Sequence, residues 1–227
     1  MNRRWLAAAV LALLVVACAD RVDDSAPASA EAPPLGPHEV AVSDRFWEST
    51  SDFSPTEFAY ESLEEMAADA HLIVRGRVIG TQDRQAMPVS DPAGELTARA
   101  VTFGVVRIIE VLKGSPNVTE PGAVLVNRLG SKNLDVTELP PEDIIIFLMN
   151  YRQLAEDFGA GLFDDPSDRF YYTRPNGYQA VLRDINGLVR VVPGPDGWQE
   201  ALGPFPAPLE GKPFEEVVEA VRQAAAT

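Results

Sequence analysis

The sequence predicts a mainly β domain with flanking helices, an α+β fold, and three observations indicate it. Apolar and polar residues alternate with a period of two in several runs between residues 71 and 192. The dipeptide Asn186-Gly187 separates two of these runs, which is a strong hairpin signal. Apolar residues at helical spacing occur before and after this region. The β-rich part therefore forms one domain between two helices.

Residues 1–17 have the features of a lipoprotein signal peptide. A basic start at Arg3 and Arg4 precedes an apolar stretch that is too short for a permanent membrane span. The stretch ends in Val15-Val16-Ala17-Cys18, which fits a lipobox. A lone cysteine can also be a buried core residue, but this position favours lipidation. We expect Cys18 to anchor the protein to the cell membrane on its extracytoplasmic side, or to an outer membrane where one exists.

The chain is strongly acidic, with a formal net charge of −15 at pH 7. Such a field repels phosphate backbones and anionic lipid head groups, so nucleic acid is not an expected partner and membrane attachment must come from the acyl chains. Once Cys18 carries lipid, no thiol is left for a disulfide, a nucleophile or a zinc site. We expect no cofactor and no metal.

Residues 18–45 are expected to comprise the lipidated cysteine and a flexible tether, because they are rich in Pro, Ala, Ser and acidic residues and show no periodicity. A single domain then spans residues 46–227. Five aromatic residues mark its start, and packing onto the domain is the favoured interpretation, with a partner-docking patch as the alternative. They are Phe46, Trp47, Phe53, Phe58 and Tyr60.

The first predicted helix begins at the segment 54–57, with Ser54 as its N-cap and Glu57 completing a capping box. Its apolar stripe consists of Ala59, Leu63, Met66, Ala67 and Ala70. An acidic face opposite the stripe is expected to be solvated rather than to bind metal. It consists of Glu61, Glu64, Glu65 and Asp69.

Four strands are predicted after this helix. The first covers residues 71–80 and the second covers residues 97–112, which is long enough to require a bend, with Gly104 as the expected kink. The third covers residues 123–129. The fourth covers residues 143–151 and is so apolar that we expect it to be buried on both sides.

A hairpin and a helix complete the prediction. The segments 178–183 and 188–192 flank the Asn186-Gly187 turn, whose two central positions need positive φ. The final helix runs from Pro213 to about Ala225. Its apolar stripe consists of Phe214, Val217, Val218, Val221 and Ala224.

The order of these elements resembles the OB-type β-barrel of the netrin-like and tissue-inhibitor-of-metalloproteinases superfamily, and also bacterial extracytoplasmic domains. The similarity covers about residues 55–152 and lies in ADAHLIVRGRVIG, AVTFGVVRIIEVLKG, GAVLVNRLG and PPEDIIIFLMNY. It implies an OB-like five-stranded barrel with one helix before it and one C-terminal helix. Inhibitors of this family bind the target's zinc through an N-terminal cysteine. This chain has no cysteine at that position, which argues against inhibition by that route.

Catalytic signatures are sparse. The two histidines, His38 and His71, lie in no His-Glu-x-x-His pattern and near no Gly-x-Ser-x-Gly elbow. We interpret His71 as a strand-end residue with one hydrogen bond rather than as a base. Acidic residues are abundant, but their abundance in an acidic protein does not indicate a raised pKa.

The segment 163–178 is the predicted binding surface, because aromatic residues and arginine are enriched in recognition sites. Its candidate residues are Tyr171, Tyr172, Arg174 and Tyr178. The alternative is that one of the adjacent tyrosines lies in the core and the other on the surface. Three nearby aspartates lack the loop pattern of an EF-hand calcium site. They are Asp164, Asp165 and Asp168.

The expected function is binding of an envelope protein or polymer by a lipid-anchored, non-enzymatic domain. A carboxylate-dependent hydrolase of envelope polymers and a proteinase-inhibitor-like module are the alternatives. Two acidic residues held on one face of the barrel would favour the hydrolase.

Overall fold

A computed structural model describes residues 33–50, 59–90, 96–118, 121–127, 138–150, 171–173, 179–192 and 203–226. The described chain is mainly β with helices, so the predicted α+β class is confirmed. The strands are β1 Leu72–Ser90, β2 Leu96–Lys113, β3 Ala123–Asn127, β4 Ile144–Asn150, β5 Tyr171–Thr173, β6 Val181–Ile185 and β7 Leu188–Val191. The helices are α1 Pro37–Thr50, α2 Leu63–Asp69 and α3 Phe214–Ala225, with a short 3-10 turn at Ala207–Leu209.

The strands belong to one sheet with a ring of pairings. β1 pairs antiparallel with β2 and with β4, and β2 pairs antiparallel with β3. β3 pairs parallel with β5, and β5 pairs antiparallel with β4. The order therefore runs β1-β2-β3-β5-β4 and returns to β1. β6 and β7 extend the sheet from β4.

The long second strand is confirmed, but its irregularities do not lie at Gly104. Gly104 pairs in regular register with Thr81. Three of the four register shifts instead leave Ile79 of β1 and Ile109 and Leu112 of β2 without a partner, and the fourth lies between Gln85 and Pro88. The two bulges on β2 lie opposite the part of β1 that also pairs with β4. The strand thus bends where β1 must serve two neighbours.

Two apolar clusters are built on opposite sides of β4, which is buried on both sides as predicted. Ile144, Ile146 and Leu148 belong to an inner cluster with residues of β1, β2, β3 and β6. Ile145 and Phe147 belong to an outer cluster, in which α2, α3 and the 3-10 turn cover the other side of the sheet. Successive side chains of a strand point to opposite faces, so one strand contributes to both clusters.

The predicted tether is too long. We expected it to extend to residue 45, but α1 already begins at Pro37. The helix buries Val42, Ser43, Phe46, Trp47 and Thr50, because residues three and four apart lie on one helical face. Phe46 and Trp47 enter the inner cluster, so packing onto the domain is confirmed for these aromatics. The ring of Tyr60 is likewise buried, in the outer cluster.

The first predicted helix begins later than expected. Its N-cap is Ser62, whose hydroxyl accepts a hydrogen bond from the Glu65 backbone N–H at 3.1 Å. The predicted start at 54–57, like Phe53 and Phe58, lies outside the described residues, and residues 59–62 are not helical. The stripe is confirmed for four residues, whereas Ala59 is exposed. The acidic face is exposed, as predicted.

The hairpin and the final helix are confirmed. Asn186 and Gly187 have φ values of 58° and 82°, as a two-residue turn of this type requires. Helix α3 starts directly after Pro213 and buries Phe214, Val217, Val218 and Val221 against the outer cluster.

Candidate functional site

Two arginines lie side by side on the outer surface of the β1–β2 ribbon. Arg77 of β1 is directly opposite Arg107 of β2. Directly opposed residues of antiparallel strands point to the same side of the sheet. Their neighbours Val78 and Val106 belong to the inner cluster, so the two arginines point outward, and both are exposed.

Asp143 positions Arg77 from the side of β4. The Arg77 guanidinium donates to Asp143 Oδ1 from Nε at 3.0 Å and from Nη2 at 2.5 Å. The other carboxylate oxygen, Oδ2, accepts from Arg75 Nη2 at 3.2 Å. Arg75 also donates to Glu215 at 2.9 Å and lies over the Phe214 ring, 5.4 Å from its centroid. One aspartate therefore orients two guanidinium groups.

Arg107 differs from Arg75 and Arg77, which both form ion pairs with carboxylates. In the described part of the chain, no carboxylate forms an ion pair with it. Like charges directly opposite each other on two strands destabilise a sheet. A protein with a net charge of −15 nevertheless places two arginines in this arrangement. A pair of guanidinium groups suits a carboxylate or phosphate oxyanion.

Exposed apolar residues lie on the same two strands. Ile79, Ile109 and Val111 are exposed by 38%, 50% and 40%. Ile79 and Ile109 follow Arg77 and Arg107 by two residues, so the alternation of side chains along a strand places them on the same outward side of the sheet. Ile79 lies opposite the step from Val105 to Val106 in β2. Ile109 is about three residues farther along β2, a distance of roughly 10 Å. We call Arg77, Arg107, Ile79 and Ile109 the β1–β2 face.

A second polar cluster lies beneath α1 and is buried. Arg183 of β6 is fully buried and donates from Nη1 to Ser43 Oγ at 2.8 Å and to Asp44 Oδ1 at 2.9 Å. Ser43 donates to Glu142 Oε1, and so does the Trp47 indole N–H, at 2.9 Å. Burial lowers the pKa of Arg183, while Asp44 opposes that shift. This cluster holds α1 in place, and its charged residues Arg183 and Glu142 are buried.

Acidic residues also approach one another beside the β1–β2 face. The Asp184 backbone N–H donates to the Asp143 carbonyl at 2.8 Å. Burial raises the pKa of Asp184, and the charge of Asp143 contributes in the same direction. Asp184 Oδ1 accepts from the Gly187 N–H at 2.8 Å, which supports the hairpin turn. Its side chain thus has a local structural role.

The structure corrects one of the predicted binding residues. Tyr172 is 1% exposed and belongs to the inner cluster, so it is a core residue. Its hydroxyl accepts a hydrogen bond from the Asn117 N–H at 2.8 Å, and burial raises its pKa. The Tyr171 side chain, Arg174 and Tyr178 lie outside what the structure describes, as does Cys18. The same holds for the three nearby aspartates, Asp164, Asp165 and Asp168.

The histidines have ordinary structural places. His71 Nδ1 accepts a hydrogen bond from the Asn150 N–H at 3.0 Å, as expected for a strand-end residue. His38 is exposed on α1. Among the described residues, no three His, Cys, Asp or Glu side chains are arranged to hold a metal ion. No helix in the described ranges combines the length and apolar character needed to cross a membrane.

The β1–β2 face was missed by sequence reasoning. The signal was present, since Arg75, Arg77 and Arg107 sit at outward positions of two predicted strands in an acidic chain. Which arginine faces which depends on the register and its bulges. Comparison with protein-family models and with curated proteins finds no match to this chain.

Proposed function

We propose that the protein is a lipid-anchored extracytoplasmic binding protein whose β1–β2 face recognises an anionic group on an envelope protein or polymer. The observation that carries the proposal is the directly opposed pair Arg77 and Arg107 on an acidic protein. Asp143 offsets the charge of Arg77 but not that of Arg107, so an anion bound beside Arg107 would relieve the remaining repulsion between the two guanidinium groups. The exposed Ile79 and Ile109 add apolar area that a partner would bury.

The proposed architecture is an OB-like five-stranded barrel of the netrin-like kind. The ring of pairings β1-β2-β3-β5-β4 and the parallel β3–β5 pair support it. OB-type folds bind ligands on the face of their second and third strands and in the loops that join strands 1–2 and 4–5. The β1–β2 face shares strand β2 with that region.

Lipidation of Cys18 is the second part of the proposal. We expect Cys18→Ala to abolish signal-peptide processing and acyl labelling, because the thiol is the attachment point and no other cysteine can replace it. Metabolic labelling with an alkyne fatty acid, followed by gel analysis, measures this. Labelling that survives the substitution would end the lipoprotein hypothesis.

Site-specific photo-crosslinking in cells tests the binding face. A photoreactive amino acid at position 109 should give a discrete adduct, whereas the same residue at Glu64, on the exposed face of α2, should give none. Arg107→Gln in the position-109 protein should lower the adduct about tenfold, since one charged contact is worth roughly 1.5 kcal/mol or more. Arg45→Gln, at an exposed arginine paired with Glu138, is the matched control and should leave it unchanged.

Substitution of Asp184 distinguishes the carboxylate-hydrolase hypothesis from the binding proposal. Asp184→Asn keeps the oxygen that accepts from Gly187, so the hairpin should persist. If this variant abolishes hydrolysis of an envelope polymer while the crosslink at position 109 is absent in wild type, the hydrolase replaces the binding proposal.

A further inference from the structure

The chain enters the described domain at a fixed point. The Leu35 backbone N–H donates to Asn186 Oδ1 at 2.6 Å, and Asn186 Nδ2 donates to the Leu35 carbonyl at 3.2 Å. The side chain of one turn residue thus satisfies both backbone groups of Leu35. Asn186 also has the positive φ that its turn requires. The β6–β7 turn therefore determines where the N-terminal segment meets the domain.

The two hydrogen bonds between Leu35 and Asn186 limit how far the β6–β7 turn can lie from Cys18. Leu35 lies seventeen positions after Cys18 in the chain. Fully extended, this stretch spans at most about 60 Å, and a coil of that length has a root-mean-square span of about 23 Å. The opposite end of β6 is farther away, because seven residues from Gln179 to Asn186 add roughly 23 Å.

We propose that the β6–β7 turn faces the lipid surface and that Leu188 contacts it, an inference that rests on the proposed anchoring at Cys18. Leu188 follows the turn and is 48% exposed, although it is a large apolar residue. Lys212 lies beside it, since the Val189 N–H donates to the Lys212 carbonyl at 2.8 Å, and Lys212 is exposed. An apolar tip with an adjacent cation suits the boundary between head groups and acyl chains.

The β6–β7 turn also lies near the β1–β2 face. Asp184, two residues before Asn186, bonds through its backbone to Asp143, and Asp143 holds Arg77. The β1–β2 face therefore lies on the same half of the sheet as the turn. A ligand bound there would be held close to the membrane rather than at the distal end of the domain.

Chemical anchoring tests the orientation without relying on acylation in cells. The chain from Cys18 to Thr227 is coupled through its single cysteine to a maleimide phospholipid in phosphatidylcholine vesicles. An azido amino acid at position 188 or at Glu61 carries an environment-sensitive dye. Glu61 adjoins Tyr60, whose N–H donates to Gln179 at the other end of β6, so it reports the distal end.

We expect nitroxide-labelled lipid to quench the dye at position 188 about threefold more strongly than the dye at position 61. Asn186→Gly keeps the turn, since glycine tolerates the same φ, but removes both bonds to Leu35. The Asn186→Gly substitution should reduce the difference in quenching between positions 188 and 61 by about half. Equal quenching at the two positions in wild type would overturn the orientation, whereas survival of acyl labelling in Cys18→Ala would overturn the anchoring instead.

Discussion

At the scale of single residues, two glycines allow close contacts between backbone segments. A Cβ at Gly76 would lie 2.6 Å from the Arg107 carbonyl oxygen and 2.7 Å from Val106 Cγ1. Gly114 has φ of 79°, and a Cβ there would collide with the His71 carbonyl. Both glycines belong to the segments that carry the family resemblance. Glycine at these two positions is thus explained by close packing, of β1 against β2 at Gly76 and of the residue that follows β2 against His71 at Gly114.

Gly76→Ala should destabilise the fold by about 2 kcal/mol, because the added methyl group has no space between β1 and β2. Gly80→Ala is the matched control in the same strand, where nothing lies within 4 Å of the added Cβ. We expect the control to change stability by less than about 1 kcal/mol. Urea unfolding measures both. Equal midpoints for the two variants would contradict the close approach at Gly76.

At the scale of elements, α1 is held by a combination of aromatic and polar contacts. Phe46 and Trp47 pack edge to face, with ring centroids 5.1 Å apart, and fill the inner cluster. Ser43 connects the helix to the domain, since it donates to Glu142 and accepts from Arg183. Buried charged groups are costly when they lose a partner. The position of α1 is therefore specified by polar contacts as well as by burial.

Ser43→Ala should cost about 2 kcal/mol, because Glu142 and Arg183 each lose a hydrogen bond while remaining buried. Ser49→Ala is the control on the same helix. The Ser49 hydroxyl donates only locally to the Phe46 carbonyl and the residue is exposed, so less than about 0.5 kcal/mol is expected. Thermal and urea unfolding should agree. A Ser43 variant as stable as the Ser49 variant would show that the buried network contributes little.

At the scale of the whole molecule, the domain depends on α1, most of which lies within the predicted tether of residues 18–45. The inner cluster includes two aromatics of α1. Loss of a buried Phe or Trp costs about 3–5 kcal/mol, against a total stability of roughly 5–15 kcal/mol for a domain. A chain that begins after α1 lacks both side chains and the partners of Arg183.

A chain beginning at Pro34 should unfold in one cooperative transition, with the melting temperature of the longer protein. A chain beginning at Ser51 should lose most of its stability, because Phe46, Trp47 and Ser43 are absent. Calorimetry and far-UV circular dichroism measure this. If the two chains melt at the same temperature, α1 is dispensable for folding of the domain.

The sequence by itself determined the elements whose signals are local. A continuous apolar run specified β4 as a strand buried on both sides, the Asn-Gly pair specified the hairpin, and the apolar stripe specified α3. These features depend on the residues within one element or turn, so a pattern in the chain is enough to predict them. The signal-peptide prediction for residues 1–17 depends likewise on a local pattern.

Only the tertiary structure decided the contacts between distant segments. Register placed Arg107 opposite Arg77, and the fold left the large apolar side chains of Ile79 and Ile109 exposed. Burial placed Tyr172 in the core, where an aromatic-rich segment predicted a binding surface. The helical state of α1 depends on partners about 100 residues away, such as Glu142. The free energy of such contacts depends on which surfaces meet, and local composition does not contain that information.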